Sequence, residues 1–378
     1  MKKFLRNLWI ILCIPLISFY LLASFSTFIA PADFSYISIF GLGFPYLLVT
    51  LLVAIIINLF VERKLMYIML AVLPCGYINM RNTFAFNAGT SWQPQKDSSV
   101  LRVMTWNVQA FANYLHFKHS KKNYDTNKAA MLQTIHDYNP DILCMQEYLN
   151  IENSPKRIAV RKELDSLGYI YRLCSNDRIG NFNRKPGVRL EEGVAIYSKL
   201  PLLDSARVNI NHEDKNETLI YADVLFNNKP IRIFTAHLQS FTIYEDTAGK
   251  YGDDNIYKIT YKRKRAASYK IRDTEIKHQE EVAIIRKAID KSPNPVIYCG
   301  DINITPTSYN YRMLKNNNLQ DAFLAKGSGI GNTFYKIGPT LRIDVCLADT
   351  SMQVLQCKRE KKKLSDHYPV IADMKWKR

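Results

Sequence analysis

The sequence predicts an α/β domain carried behind an N-terminal membrane region, and two observations predict it. Residues 1–80 hold two long apolar runs, roughly Leu8 to Ala30 and Tyr36 to Phe60, each long enough to cross a hydrocarbon core about 30 Å thick. From Val100 the texture changes to short apolar runs alternating with longer amphipathic segments, the pattern of strands and helices taken in turn. Residues 1–81 therefore read as a membrane anchor, 82–99 as a linker rich in Asn, Ser, Gln and Gly, and 100–378 as a folded domain.

Lys2, Lys3 and Arg6 precede the first run, so a secretory signal peptide competes with a retained anchor. The length of the run, and its passage into a second one, favour retention. A third, shorter run, Leu65 to Met80, follows Glu62-Arg63-Lys64 and is interrupted by Pro74 and Gly76. Basic residues stay cytoplasmic, so Lys2, Lys3, Arg6, Arg63 and Lys64 belong inside and the loop around Asp33 outside. Three crossings, which we favour, then leave the large domain outside the cytoplasm, as part of a multi-pass protein. A third run that only lies in the interface leaves it cytoplasmic.

Along the large domain, Leu101 to Val108 alternates with period two and reads as a strand with Asn107 near its end. Asn123 to Tyr138 has helical spacing, and Asp141 to Glu147 reads as a buried strand terminating on a carboxylate. Gly193 to Ser198, Leu219 to Phe226 and Pro230 to His237 are further strands, the last ending on a histidine. Residues 241–275 are polar and read as a long loop, followed by an amphipathic helix over Gln279 to Asp290. Val296 to Gly300 is a buried strand whose glycine permits a bend or a close approach. Tyr309 to Asn316 reads as helix, and Arg342 to Ala348 and Pro369 to Met374 as the last strands. Seven cysteines lie scattered without C-x-x-C or finger spacing, so no zinc site is indicated. Cys144, Cys299 and Cys346 sit inside strand-like runs and read as small packing residues.

Strand after strand ends on a residue able to handle a metal or a phosphate: Asn107, Glu147, His237, Asp301 with Asn303, and Asp366-His367. Taken singly, Asn107 fits a turn, Glu147 a lysine partner, His237 a core histidine, and Asp301-x-Asn303 an Asx turn. Asp344 inside a strand needs a partner. Sites in layered α/β folds gather at strand ends, and so many complementary polar groups at such places point to one site. On an extended backbone Asp301 and Asn303 point the same way.

The succession TWNVQ (105–109), DILCMQE (141–147), GVAIYSK (193–199), TAHLQS (235–240), GDIN (300–303), RIDV (342–345) and SDHYPV (365–370) resembles the endonuclease/exonuclease/phosphatase superfamily. That superfamily includes deoxyribonuclease I, abasic-site endonucleases, inositol polyphosphate phosphatases and neutral sphingomyelinases. The resemblance covers about residues 100–378, and the anchor looks like that of membrane-bound bacterial members. It implies a four-layer α/β sandwich, two mixed β-sheets flanked by helices, preceded by N-terminal transmembrane helices. It also implies hydrolysis of a phosphoester with a divalent metal, Mg²⁺ or Mn²⁺, by direct attack of water. Glu147, Asn107 and Asp366 match the metal side of the family site. Asp301 matches the residue that orients or deprotonates water, and Asn303 one that contacts the phosphoryl oxygen or positions Asp301. His367 matches the histidine that meets the scissile phosphate, Asp344 the carboxylate behind it, and His237 a phosphate ligand or general acid.

The substrate stays open. Residues 1–95 hold six Lys/Arg and two Asp/Glu, so about +13 of the net +17 falls on the remainder, suiting an anionic partner. Tyr257-Lys258, Tyr261 to Arg265 and Tyr269-Lys270 interleave aromatics with bases, which fits stacked nucleic-acid bases or anionic lipid headgroups. A nuclease and a phospholipid- or sphingomyelin-type phosphodiesterase both satisfy the sequence, and no protein partner is indicated. The alternative from another class is a non-catalytic membrane receptor that binds phosphorylated ligands through the same fold.

Overall fold

The structure is a computed structural model, and it describes residues 2–87, 91–113, 121–152, 160–181, 189–210, 217–241 and 265–377. The aromatic and basic residues Tyr257 to Lys264 lie outside the described residues.

The N-terminal region is an antiparallel pair, α1 (Lys2–Phe25) and α2 (Ile37–Val61), both long and apolar enough to be candidate membrane spans. Phe4, Ile11, Ile14, Val49, Ile56 and Phe60 stand exposed on their outer surface, unlike the core helices of a water-soluble fold. Asn58 is buried between helices, donating to Ala54 O and accepting from Trp9 Nε1 at 3.1 Å. The third run is broken rather than continuous. It forms α3 (Arg63–Val72), a 3₁₀ turn at Leu73–Gly76 and α4 (Tyr77–Thr83). Pro74 interrupts the helical ladder, and the Tyr20 hydroxyl donates to Leu73 O at 2.7 Å. Gly76 is required there, since a Cβ would fall 2.1 Å from the Tyr20 hydroxyl.

The remainder follows as β1 (Ala85–Phe86), β2 (Leu101–Asn107), α5 (Gln109–Asn113), α6 (Lys121–Tyr138), β3 (Ile142–Glu152), α7 (Arg161–Ser166), β4 (Tyr171–Cys174), β5 (Arg178–Asn181) and β6 (Arg189–Ser198). Next come β7 (Leu202–Asn209), β8 (Thr218–Phe226), β9 (Lys229–His237), α8 (Arg265–Asp290), β10 (Val296–Asp301) and α9 (Tyr309–Lys315). The chain closes with β11 (Leu319–Asp321), α10 (Ala322–Lys326), β12 (Ser328–Gly329), β13 (Asp344–Asp349), β14 (Met352–Arg359) and β15 (Val370–Trp376).

Two mixed sheets result, one ordered β11-β13-β10-β9-β8-β7 and the other β14-β15-β2-β3-β6-β4 with β5 on β6. Their inner faces meet through Val103, Cys144 and Ile196 on one side and Ile220, Ile233, Cys299 and Cys346 on the other. Met131 and Ile135 of α6 cover the outer face of the second sheet, and Val282 and Ile285 of α8 that of the first. The alternation along β10 makes this possible. Ile297 and Cys299 face the other sheet while Tyr298 faces the helices. Cys144, Cys299 and Cys346 are buried free thiols in that core.

Two sequence readings change. The segment 241–275 is not loop throughout, because α8 begins at Arg265 and carries Tyr269 and Lys270. β3 does not stop at Glu147 but runs to Glu152, with a shift of register between Met145 and Tyr148. Glu147 sits in that bulge at φ 49°, which turns its side chain to solvent while its strand neighbours stay buried.

The sandwich rests on one end of the N-terminal helices, the end formed by the α1–α2 connection. Ser26 Oγ donates to Thr307 O and Thr307 Oγ1 to Gly41 O, each at 2.8 Å. Ala32 N meets Gln279 Oε1 at 3.1 Å, and Thr340 Oγ1 meets the Tyr46 hydroxyl at 3.3 Å. The buried Arg342, paired with Asp321, donates to Asn82 O at the end of α4. The opposite end of the bundle carries the Arg6–Glu62 ion pair, 2.6 Å.

Candidate active site

Strand register gathers the polar groups. In the first sheet β9 runs parallel to β10 and β13 antiparallel to it, so His237, Asp301 and Asp344 lie side by side as register partners. Gly300 permits this, because a Cβ there would lie 2.4 Å from Ala236 O on β9. In the second sheet β2 pairs parallel with β3, setting Asn107 beside Gln146 and next to the bulged Glu147.

Asn107 joins the two sheets. Its buried amide Nδ2 donates to Glu147 Oε1 and to Asp301 Oδ2, each at 3.0 Å, and its Oδ1 accepts from Gln109 N. Asp301, 1% exposed, accepts Asn303 N on Oδ1. Its Oδ2 lies 3.6 Å from His237 Nε2 and 3.5 Å from His367 Nε2. The Asx turn and a working carboxylate thus coexist, one oxygen for each. The backbone turns at Asn303, φ 49°, so the extended alternation expected for Asp301 and Asn303 does not hold. The Asn303 amide instead donates to Leu238 O at 2.9 Å and faces His237 Nε2 at 3.1 Å.

His367 is held from three sides. Nδ1 is 2.8 Å from Asp344 Oδ2, the Phe334 ring lies 4.9 Å away, and its carbonyl accepts Trp106 Nε1. Burial opposes protonation of the imidazole, but the carboxylates of Asp344 and Asp301 outweigh it and push its pKa up to about 10. Burial pushes the Asp344 carboxyl up, His367 opposing. The pair holds its proton on the imidazole, since two acids flank one base. Asp366 lies beyond, bonded by Gln109 Nε2 at 2.9 Å. Burial raises its pKa, the His367 charge opposes this, and the Glu147 charge adds to it.

All eight residues singled out from the sequence therefore belong to one contiguous polar network. Three contributors were not singled out. Gln109 ties Asp366 to Asn107, Thr333 Oγ1 accepts Asp344 N at 3.0 Å, and Gln146 bridges Thr105 and Thr235 between the sheets. Gln109 and Gln146 lay inside quoted motifs, but neither can itself titrate or donate a proton. Thr333 carried no local signal.

Among the described residues, Asp301, Asp344 and His367 place one ligand atom each within 4.8 Å of one another. A protonated imidazole has no lone pair to offer a cation and repels it, which disfavours a cation there. Glu147, Asp366 and the Asn107 amide offer an all-oxygen set, as a hard divalent cation prefers. The repulsion between Asp366 and Glu147 is what a bound cation relieves. These residues fit such an ion.

A sequence profile described as the Endonuclease/Exonuclease/phosphatase family matches residues 104–367. The chain belongs to that family. Its members are typically phosphoester hydrolases and generally use divalent metals. A second profile, a domain of unknown function, matches residues 2–83. No curated protein gives a significant match. Among solved structures, an endonuclease/exonuclease/phosphatase from Beutenbergia cavernae is 17% identical with TM-score 0.50, covering 74% of this chain and 72% of its own. A family member from Bacteroides vulgatus is 19% identical with TM-score 0.50, covering 74% and 99%. The human Nocturnin catalytic domain with bound sulfate is 18% identical with TM-score 0.50, covering 74% and 94%. These similarities establish the sandwich of two mixed sheets flanked by helices.

Proposed function

We propose that the protein is a membrane-anchored phosphodiesterase that uses Mg²⁺, with Mn²⁺ as a substitute, and attacks phosphorus directly with water. The observation that carries this reading is the Asn107 amide, which ties Glu147 to Asp301 at 3.0 Å each with protonated His367 alongside. Asp301 Oδ2 is placed to accept a proton from the attacking water. The His367 imidazolium, oriented by Asp344, donates to a non-bridging oxygen as charge builds there. The Asn303 amide and His237 line the same side and position the phosphate. Glu147, Asp366 and Asn107 would hold the metal, which supplies polarisation of the phosphate and charge for the leaving oxygen. The sulfate held by the human Nocturnin domain is consistent with an anion site in this fold.

The test is turnover of bis(p-nitrophenyl) phosphate by the full chain with Mg²⁺. Turnover that chelation abolishes, and that Glu147→Gln removes, is expected. Wild-type rates from Asp301→Ala or His367→Ala would reject the assignments.

We read α1, α2 and the α3–α4 segment as three crossings of a bacterial inner membrane. Lys2, Lys3, Arg6, Arg63 and Lys64 cluster near one end of the bundle, beside the Arg6–Glu62 pair, and basic residues mark the cytoplasmic side. The sandwich contacts the other end, at Ser26, Gly41 and Asn82, which supports an extracytoplasmic catalytic domain. Reporter fusions at residue 96 test the sidedness.

A further inference from the structure

We propose that the phosphodiester cleaved at this site belongs to a lipid headgroup, reached in the plane of the membrane. This rests on the membrane and hydrolase readings above.

Both loops that wall the site stand on the end of the candidate membrane helices. The first runs from Asn303 to Thr307, which bonds Ser26 and Gly41. Four residues of extended chain reach at most about 14 Å. The second carries Thr333 and Phe334 against Asp344 and His367, then reaches Thr340 on the Tyr46 hydroxyl. Asp344 follows Thr340 by four residues, the same span. The polar layer of a bilayer adds only about 5–7 Å on each side of its hydrocarbon. α2 has 25 residues, about 37 Å of helix, longer than the roughly 30 Å of hydrocarbon. The excess of about 7 Å puts the first turn of α2 at the boundary between hydrocarbon and headgroups, and the site stands within a short reach of lipid phosphates.

The second loop is built for that height. Ile337 is 69% exposed, and a Cβ on its neighbour Gly338 would lie 3.6 Å from the Tyr46 hydroxyl. Tyr46 follows the first residue of α2 by nine positions, about 13 Å of helix rise, so Ile337 stands where an apolar side chain enters lipid. Lys336 and Lys363 lie over the Tyr335 ring, each at 5.3 Å. Such a cationic rim suits anionic headgroups. A nucleic acid would have to lie along the bilayer to enter, whereas a lipid arrives by lateral diffusion with its phosphate already at the right height.

In the reaction a bond forms between water oxygen and phosphorus as one ester P–O bond breaks. The leaving oxygen keeps the electron pair and takes a proton, giving an alcohol and a phosphate monoester.

The experiment reconstitutes the full chain with Mg²⁺ into vesicles of phosphatidylethanolamine, phosphatidylglycerol, phosphatidylcholine and sphingomyelin, and follows monoester release by phosphorus NMR. Single-stranded oligonucleotide and bis(p-nitrophenyl) phosphate are assayed beside them. At least one vesicle lipid should turn over tenfold or more faster than the oligonucleotide, at a rate that follows its mole fraction. Ile337→Asp should lower the vesicle rate at least tenfold and leave bis(p-nitrophenyl) phosphate unchanged. Cleavage of bis(p-nitrophenyl) phosphate or oligonucleotide with every vesicle lipid intact overturns this inference alone, as does an equal loss on both substrates in Ile337→Asp. Failure on every substrate overturns the hydrolase reading, and this one with it.

Discussion

Two histidines flank the same oxygen of Asp301 at nearly equal distance, 3.6 Å for His237 and 3.5 Å for His367, yet their surroundings differ. His367 has a buried carboxylate on its far nitrogen and a side chain 6% exposed. His237 faces a neutral amide, Asn303, with a side chain 20% exposed. A second carboxylate at a buried position favours the cation of one ring, its pKa pushed up to about 10. The other ring meets a neutral amide that donates to Leu238 O, with no second carboxylate behind it among the described residues. Residue type and the Asp301 oxygen they face are shared, so the partner behind each ring separates their chemistry.

The difference is sharpest in turnover. His367→Ala should lower kcat by about three to four orders of magnitude and His237→Ala by roughly one to two, as removal of a charge stabiliser compares with removal of a positioning contact. Equal losses in a generic phosphodiester assay would erase the contrast. Asp344→Asn should reduce kcat by about a hundredfold and draw the alkaline limb of the pH–rate profile down from about 10 toward the ordinary imidazole range. Asn303→Ala should leave that limb in place.

Stability carries a smaller signature. Because folding raises the His367 pKa, its contribution is complete below the ordinary value of about 6.5 and is lost as pH rises through about 10. Thermal denaturation followed from pH 6 to 10 should show this decline in the wild type and in His237→Ala but not in Asp344→Asn. Smallest in scope, Gly300→Ala should cost about 1–3 kcal/mol by overpacking, since its Cβ would press Ala236 O. It should misplace His237 and Asp301 together and leave the His367–Asp344 distance intact, as a crystal structure would report.

Much of the sandwich was legible because strands buried on one or both faces write a period of two or a short apolar run. β10 and β2 announced themselves in that way. β7 and β14 did not, since their exposed positions carry mixed polar residues with little periodicity. The bulge at Glu147 left no local mark, and neither did the left-handed turn at Asn303, where a tertiary bond to Leu238 O holds the amide. The start of α8 was hidden because its first turns are as polar as the loop before them.

By itself the sequence determined that an apolar N-terminal region precedes strands and helices taken in turn, and the chemical identity of the eight polar groups, because period, length and residue type are written locally. Tertiary structure decided which oxygen faces which nitrogen, which imidazole has a carboxylate behind it, and that the site stands beside the α1–α2 connection. Those depend on register between strands far apart in the chain, and on one amide reaching across two sheets.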